Sequence, residues 1–372
     1  MKSNLSTICD YRKGKVDVAT LTHLSYISTE NMLPNKGGIT SAASLPTISQ
    51  TQEYRKGDVL VSNIRPYFKK IWKAKTDGGC SNDVLVFAAK DGTDPDFLYY
   101  VLADDSFFEY SMATSKGTKM PRGDKTSIMR YQVPAIDIST QRRIASILRS
   151  LDDKIELNTA INNNLEQQAQ AIYQQMFIDN ARSNWAEGTL SDIADITMGQ
   201  SPSGSSYNED GTGTIFFQGR AEFGFRFPSV RLYTTEPKRM ARSNDTLMSV
   251  RAPVGDLNVA HTDCCIGRGL AAIHSKNNHQ SFVLYTMFSL KKQLDVFNGE
   301  GTVFGSINRN SLNEMPILIP SSEKLDEFEA LVSPMDAAIR NNYDEICRLE
   351  QLRDSLLPQL MSGELDVSDI DI

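Results

Sequence analysis

Apolar residues recur in alternating steps of four and three along two stretches of the chain. The first stretch passes through Ile144, Leu148, Leu151, Ile155, Asn158, Asn162, Leu165, Ala169, Ile172 and Met176. The second passes through Phe328, Val332, Met335, Ile339, Asn342, Ile346, Leu349, Arg353, Leu356 and Leu360. Sustained 4/3 spacing is the seam of a coiled coil rather than the face of an ordinary surface helix. It predicts one long helix over 139–180 and a second helix with a tail over 321–372. Ser139 and Thr140 are candidate N-caps for the first, and Ser321-Ser322 followed by Glu323 for the second. Gly363 suits the left-handed end of the second helix. Pro334 and Pro358 fall inside its pattern, which predicts a kink or restart near Pro334 and fraying near Pro358.

The first helix leaves one region and the second starts from the next, so both seams are buried only if the helices run antiparallel. Centring the seams pairs positions whose numbers sum to about 504, which sets Asn162 against Asn342. Two readings stand for these asparagines: a buried pair that fixes register, or a solvated, partner-facing stretch.

The regions before each helix, 1–138 and 181–320, have a different texture. Short β-type runs (Asp58–Ser62, Val84–Phe87, Thr214–Phe217, Asp245–Ser249) are punctuated by Gly, Pro, Asn and Ser. Short helices are predicted at Asp96–Tyr110 and Ser281–Phe297. The fold class is therefore α/β: two mixed α/β domains separated by two long antiparallel coiled-coil helices. The chain also repeats itself. Asp152-x-x-Ile155-x-x-Asn158 returns as Asp336-x-x-Ile339-x-x-Asn342, and Leu165-Glu166-Gln167 as Leu349-Glu350-Gln351. Gly117-Thr118 matches Gly301-Thr302 at the same offset of 184 residues. Twice that offset nearly exhausts the 372 residues, so the protein is a duplicated half with pseudo-two-fold symmetry.

Charge changes the picture only through its distribution. The net charge is −7, but the stretch from Ser321 onward carries thirteen acids and four bases. The remainder is slightly basic, with clusters at residues 55–75, at Lys116, Lys119, Arg122, Lys125 and Arg130, and at Arg220, Arg226, Arg231, Lys238, Arg239, Arg242 and Arg251. Basic globular parts suit a polyanion partner, and an ordinary solvated surface is the competing reading. The longest strictly apolar run, Val84 to Ala89, is far short of a membrane span, and the N-terminal segment has no apolar signal core. Five cysteines without C-x-x-C spacing read as free thiols, which places the protein in the cytoplasm.

The usual catalytic signatures are missing. Gly123-Asp124-Lys125-Thr126 ends like a phosphate-binding loop but has no upstream glycine at the required spacing. No G-x-G-x-x-G follows a strand, and the four histidines show no metal-ligand spacing. Catalytic residues, metal and cofactor are all expected to be none.

Several motifs, in order, resemble the specificity subunit of type I restriction-modification systems. Gly57-Asp58-Val59-Leu60-Val61-Ser62-Asn63-Ile64-Arg65-Pro66 is similar to that family's G-D-[IV]-L-[IV]-S-x-x-R-P element, and Asn244 to Gly255 is its counterpart in the second half. Val133-Pro134 followed by Gln141-Arg142-Arg143-Ile144-Ala145 resembles the family's proline-led Q-R-R-I-A helix start. Leu190-x-x-Ile193 with Gly199-x-Ser201-Pro202 resembles the opening of a target recognition domain, and Leu356 to Leu365 the family's ending. The second helix departs from the pattern, starting Leu325-Asp326-Glu327-Phe328-Glu329.

The resemblance implies target recognition domains over 1–138 and 181–320, each reading one half of a split, asymmetric sequence in double-stranded DNA. It implies helices that set the spacer and dock two methyltransferase subunits, with restriction subunits attached through these. Methylation and ATP-driven cleavage would belong to the partners, leaving this chain without catalysis or cofactor and away from membranes. DNA contacts are expected from Arg65, Lys69, Lys70, Lys119, Arg122 and Lys125 in the first domain, and from Arg220, Arg226 and Arg251 in the second. For Arg65 and Arg251, at strand ends, a structural salt bridge is an equal reading. Two rival functions are a stand-alone coiled-coil DNA-binding regulator and an enzyme with an unfamiliar site.

Overall fold

In the apolar runs, successive side chains point to opposite faces of a strand, and this alternation builds two cores in each half of the molecule. The computed structural model describes residues 2–299 and 305–367, so Gly301-Thr302 lies outside the described residues. The chain divides into two units, Met1–Leu157 with Glu345–Ile372, and Asn158–Asp344. Each unit thus holds one mixed α/β region together with a segment of both long helices, and the divisions fall within the helices rather than at their ends.

In the first unit an antiparallel sheet runs in the order Cys9–Tyr11, Val84–Ala89, Val59–Ser62, Ile71–Lys73. Val59, Val61, Leu85 and Phe87 face one way, onto Phe97, Val101 and Phe107 and the helical residues Ile144, Leu148, Leu357 and Leu360. Leu60, Val84 and Val86 face the other way, onto Ile27, Tyr54 and Cys80 of a second sheet. That sheet orders Lys15–Asp17, Gln50–Tyr54, Gly78–Cys80 and Tyr26–Ile27. The second unit repeats the first sheet strand for strand: Ala194–Met198, Leu270–Ser275, Thr246–Ser249, Leu257–Val259. Its Met248, Ala271 and Ile273 pack on Phe282, Phe328, Val332 and Ile339, while Leu247, Leu270 and Ala272 face a five-stranded second sheet. The duplication read from the helices therefore extends to the sheets.

The first long helix spans Ile138–Tyr173 and continues as a wider π turn, Gln174–Asp179. Its cap differs from the expected Ser139 or Thr140: the Asp137 carboxylate accepts from the amides of Ser139 and Thr140 at 2.9 and 3.0 Å. An acid two residues before Ser139 satisfies the orphan N–H groups and meets the positive end of the helix dipole. The second long helix runs unbroken over Ser322–Ser362, so the restart expected at Pro334 does not occur. Packing of Phe328, Val332 and Ile339, all fully buried, holds it through the lost hydrogen bond. Gly363, at φ 77°, ends it.

Within the second unit the helical segments are antiparallel, with Tyr173 against Phe328 at one end and Asn162 against Asn342 at the other. Asn342 donates from Nδ2 to Asn162 Oδ1 at 2.9 Å. In the first unit, Arg353 of the second helix reaches Asp152 of the first at 2.9 Å. Of the seam, Ile144, Leu148, Asn162, Phe328, Val332 and Ile339 are buried. Leu151, Ile155, Leu165, Ile172, Asn342, Ile346, Leu349 and Leu356 are half-buried.

The helix expected over Asp96–Tyr110 is two, Pro95–Ala103 and Asp105–Ala113. Asp104 separates them, its extended backbone and its carboxylate capping the second through Ser106 N at 2.8 Å. Likewise Ser281–Phe297 resolves into Gln280–Ser289, Lys291–Asp295 and a short 3-10 turn.

Candidate nucleic-acid interface

Beyond Ser62 the first unit's central strand ends in a loop whose backbone takes conformations that side chains disfavour. Arg65 (φ 51°) and Lys69 (φ 49°) bracket the 3-10 turn Pro66–Phe68. Asn35 (φ 53°) and Lys36 (φ 61°) lie in a facing loop, with the Asn35 amide on Phe68 O at 2.8 Å and the Lys36 amide on Lys69 O at 2.9 Å. A third loop completes the junction. The Arg65 amide bonds Pro121 O at 2.8 Å, the Gly123 amide bonds Asn63 O at 3.2 Å, and Lys116 and Arg122 exchange backbone hydrogen bonds. These four are among the six non-glycine residues with positive φ in the described chain, and three of the four are basic. Each costs about 1–2 kcal/mol in the left-handed region, and such strain gathers where a binding surface requires it.

The side chains around this junction are cationic and aromatic. Lys36 and Lys69 share Asp105 at 2.9 and 2.7 Å. Burial works against the Asp105 charge, but the hydrogen bonds from Lys69 and Lys36 outweigh it and hold the carboxyl below its ordinary value. Arg122 pairs with Asp83 at 3.2 Å, and Lys125 lies over the Tyr11 ring at 5.9 Å. Lys119 is exposed and has no ion pair among the described residues. Tyr67, Met120 and Phe68 stand exposed beside these cations, and Tyr67 and Phe68 lie 4.7 Å apart. Beneath them two buried polar atoms, Asn63 Oδ1 and Arg65 Nε, have no hydrogen-bond partner. Lys70 is turned inward: its ammonium donates to Thr29 O at 2.6 Å, and burial lowers its pKa.

In the second unit the equivalent strand, Thr246–Ser249, leads to Arg251, which bridges Ser306 as Ile64 bridges Arg122 in the first unit. Arg251 therefore occupies the place of Ile64 rather than that of Arg65, and its side chain is exposed. Arg220 begins a 3-10 turn and pairs with Asp256 at 2.6 Å, which also meets Lys291 at 3.2 Å. Arg220, Asp256 and Lys291, with Phe223 and Phe288, line a cavity of about 480 Å3.

Arg226 lies elsewhere. Its side chain is 4 % exposed and pairs with Glu166 at 3.1 Å and Asp336 at 3.3 Å. As folded it presents nothing to a ligand, so it leaves the candidate set. The cationic set that reaches the surface is Arg65, Lys69, Lys119, Arg122 and Lys125 in the first unit and Arg220 and Arg251 in the second. Sequence reasoning passed over Asn35, Lys36, Tyr67 and Phe68. The turn Pro34-Asn35-Lys36-Gly37-Gly38 was the available signal for the first two.

The side chains here suit a polyanion: separated cations for phosphates, arginines for base edges, and exposed rings for stacking or wedge contacts. Among the described residues no His, Cys, Asp and Glu cluster could hold a metal ion, and no helix is long and apolar enough to cross a membrane.

Comparison with known proteins gives the same direction. The family model for the type I restriction modification DNA specificity domain matches twice, over residues 2–167 and 182–350. The MjaX type I restriction enzyme specificity subunit of Methanocaldococcus jannaschii is 28 % identical, with 77 % of this chain and 72 % of that protein covered. The HindI specificity subunit of Haemophilus influenzae is 23 % identical, covering 94 % of this chain and 96 % of that one. The S subunit of a type I restriction-modification system from M. genitalium shares the fold, with a TM-score of 0.63 and 16 % identity across 99 % of this chain and 96 % of that one.

Proposed function

Because the chain belongs to the type I restriction-modification DNA specificity family, carrying that domain twice, we propose that it reads a bipartite, asymmetric DNA sequence, one half with each recognition domain. Its role is sequence recognition within a restriction-modification assembly; catalysis belongs to the methylation and restriction subunits. The single observation that carries the bipartite reading is the duplicated sheet, ordered identically in both units yet ending in different loops. After Ser249 the loop carries Arg251 against Arg65 and Lys69 in the first unit, and none of its non-glycine residues takes the left-handed conformation of those two. Unlike readers on a repeated frame call for unlike half-sites.

In this reading Lys69, Lys119, Arg122 and Lys125 neutralise phosphates around the first half-site, and Arg65 is the candidate base reader. Arg220 and Arg251 serve the second. The paired helices act as a spacer, with half-sites read from one face about 34 Å apart, one turn of the duplex. Two methyltransferase subunits dock on the chain, restriction subunits join through them, and the assembly works in the cytoplasm.

The test is co-purification with the type I methyltransferase subunit of the same host, followed by mapping of methylated bases in host DNA. One chain with two methylation subunits, marking a split asymmetric motif, is the expected result. A chain that purifies alone, binds DNA tightly by itself and leaves no bipartite pattern would overturn the reading in favour of a stand-alone regulator.

A further inference from the structure

Each unit holds a half-buried acidic node where its two helical segments meet. In the first unit Asp152 accepts from Tyr100 at 2.6 Å and is neutralised by Arg353 at 2.9 Å. Tyr100 comes from the recognition domain, but the arginine comes from the second helix itself. In the second unit the repeat places Asp336 at the position of Asp152 and Glu166 at that of Glu350, and Tyr285 donates to Asp336 at 2.9 Å. Here the helices supply no arginine. At the position of Arg353 the first helix has Ala169, which is fully buried.

The missing charge is supplied by a recognition loop. Arg226 enters the node from the segment between Arg220 and Arg231, and its Nη2 also donates to Tyr285 Oη at 3.1 Å. Around it the loop faces outward: Arg220, Phe225 and Arg231 are exposed on either side. The Arg226 carbonyl accepts from Val259 at 2.8 Å, and Asn258 holds Gly224 O at 3.0 Å, tying the loop to the sheet edge as well. A buried guanidinium between two carboxylates has one strongly preferred position, because moving it leaves charges unpaired in a low dielectric.

We propose that Arg226 is a positioning residue for DNA specificity: it locks the 220–231 loop of the second recognition domain to both long helices, so that this domain's half-site is read with a loop held by charge. Among the described residues the first domain meets its helix through exposed pairs such as Lys75–Glu156, and its node is closed by Arg353 from within the helices. The inference rests on the specificity reading above. Sub-ångström placement of reading groups decides discrimination more than gross affinity, so loosening the lock degrades base choice at one half-site.

Arg226→Met, Arg226→Lys and Tyr285→Phe chains are assembled with the methyltransferase subunits. Methylation is then measured on duplexes carrying single base changes in either half of the wild-type target. Arg226→Met is expected to lower the preference for the correct bases about tenfold at one half-site, within the cost of a mismatch, and to leave the other half unchanged. Arg226→Lys, which keeps the charge, restores part of the preference at that same half. Equal losses at both halves, or none at either, would overturn the inference. Should Arg226→Met fail to assemble, Tyr285→Phe, which lacks one hydroxyl, decides by the same criterion. A wild-type assembly that marks no bipartite sequence overturns the specificity reading instead, and this inference with it.

Discussion

Asn342 donates a hydrogen bond to Asn162 at 2.9 Å inside a seam built mainly from apolar side chains. The Asn162 amide also donates to Ile339 O at 3.4 Å, so the pair is tied to the backbone of the second helix. A buried amide pair costs stability relative to leucine but penalises any shifted register, which would leave each amide facing an aliphatic chain.

Replacing one partner should therefore hurt more than replacing both. Asn342→Leu strands the buried Asn162 amide and is expected to cost about 1–3 kcal/mol, while Asn162→Leu with Asn342→Leu recovers most of it. Denaturant unfolding of the two variants and the parent checks the order.

Salt dependence of DNA binding separates the cations by geometry. Lys119→Ala is expected to reduce the slope of log affinity against log salt by about 0.9 in the complete assembly. Lys70→Ala should leave the slope unchanged, since the Lys70 ammonium is already committed to Thr29 O. Binding titrations across a salt series decide; equal slopes for the two variants would contradict the assignment.

The second node also predicts a pH dependence. Burial raises the Glu166 pKa above its ordinary 4.5, Arg226 pulls it down, and Asp336 adds to the rise. A carboxyl raised in the folded state binds its proton more tightly there than in the unfolded chain. Its destabilising contribution is absent below 4.5 and fully present above the raised value. Glu166→Gln removes that slope, so the variant's melting temperature should compare better with the parent's at pH 8 than at pH 5.

Gly123 sits where the basic loops meet. A Cβ there would lie 2.8 Å from Asn63 Oδ1 and from Ile128 Cδ1, and 2.9 Å from Ser111 Oγ. Gly123→Ala should cost about 1–3 kcal/mol by overpacking and push the 115–125 loop off the Arg65 loop. Discrimination at the first domain's half-site should fall while the second half keeps its preference, which methylation of single-base variants would reveal.

Much of the frame was legible in the linear pattern. The 4/3 periodicity placed Asn162 opposite Asn342, the apolar runs located the central strands, and the offset of 184 residues announced the duplication. Local rules sufficed there, because helical and strand periods are set by a few neighbouring residues. The same rules misplaced the first helix cap by overlooking Asp137, and of the kink or restart they predicted near Pro334 the restart does not occur, because tertiary packing holds the helix.

Residue types alone could not sort the arginines. Arg220, Arg226 and Arg231 look alike along the chain, yet two are exposed and one is buried between Glu166 and Asp336. That difference depends on which distant elements close over each side chain. Likewise Lys36 and Lys69 become neighbours only when backbone hydrogen bonds stitch their loops and Asp105 binds both. Periodicity along one dimension is enough to specify helices, strands and the repeat; the choice between a surface cation and a buried anchor belongs to the folded chain, because the energy of a charge is set by what surrounds it in space.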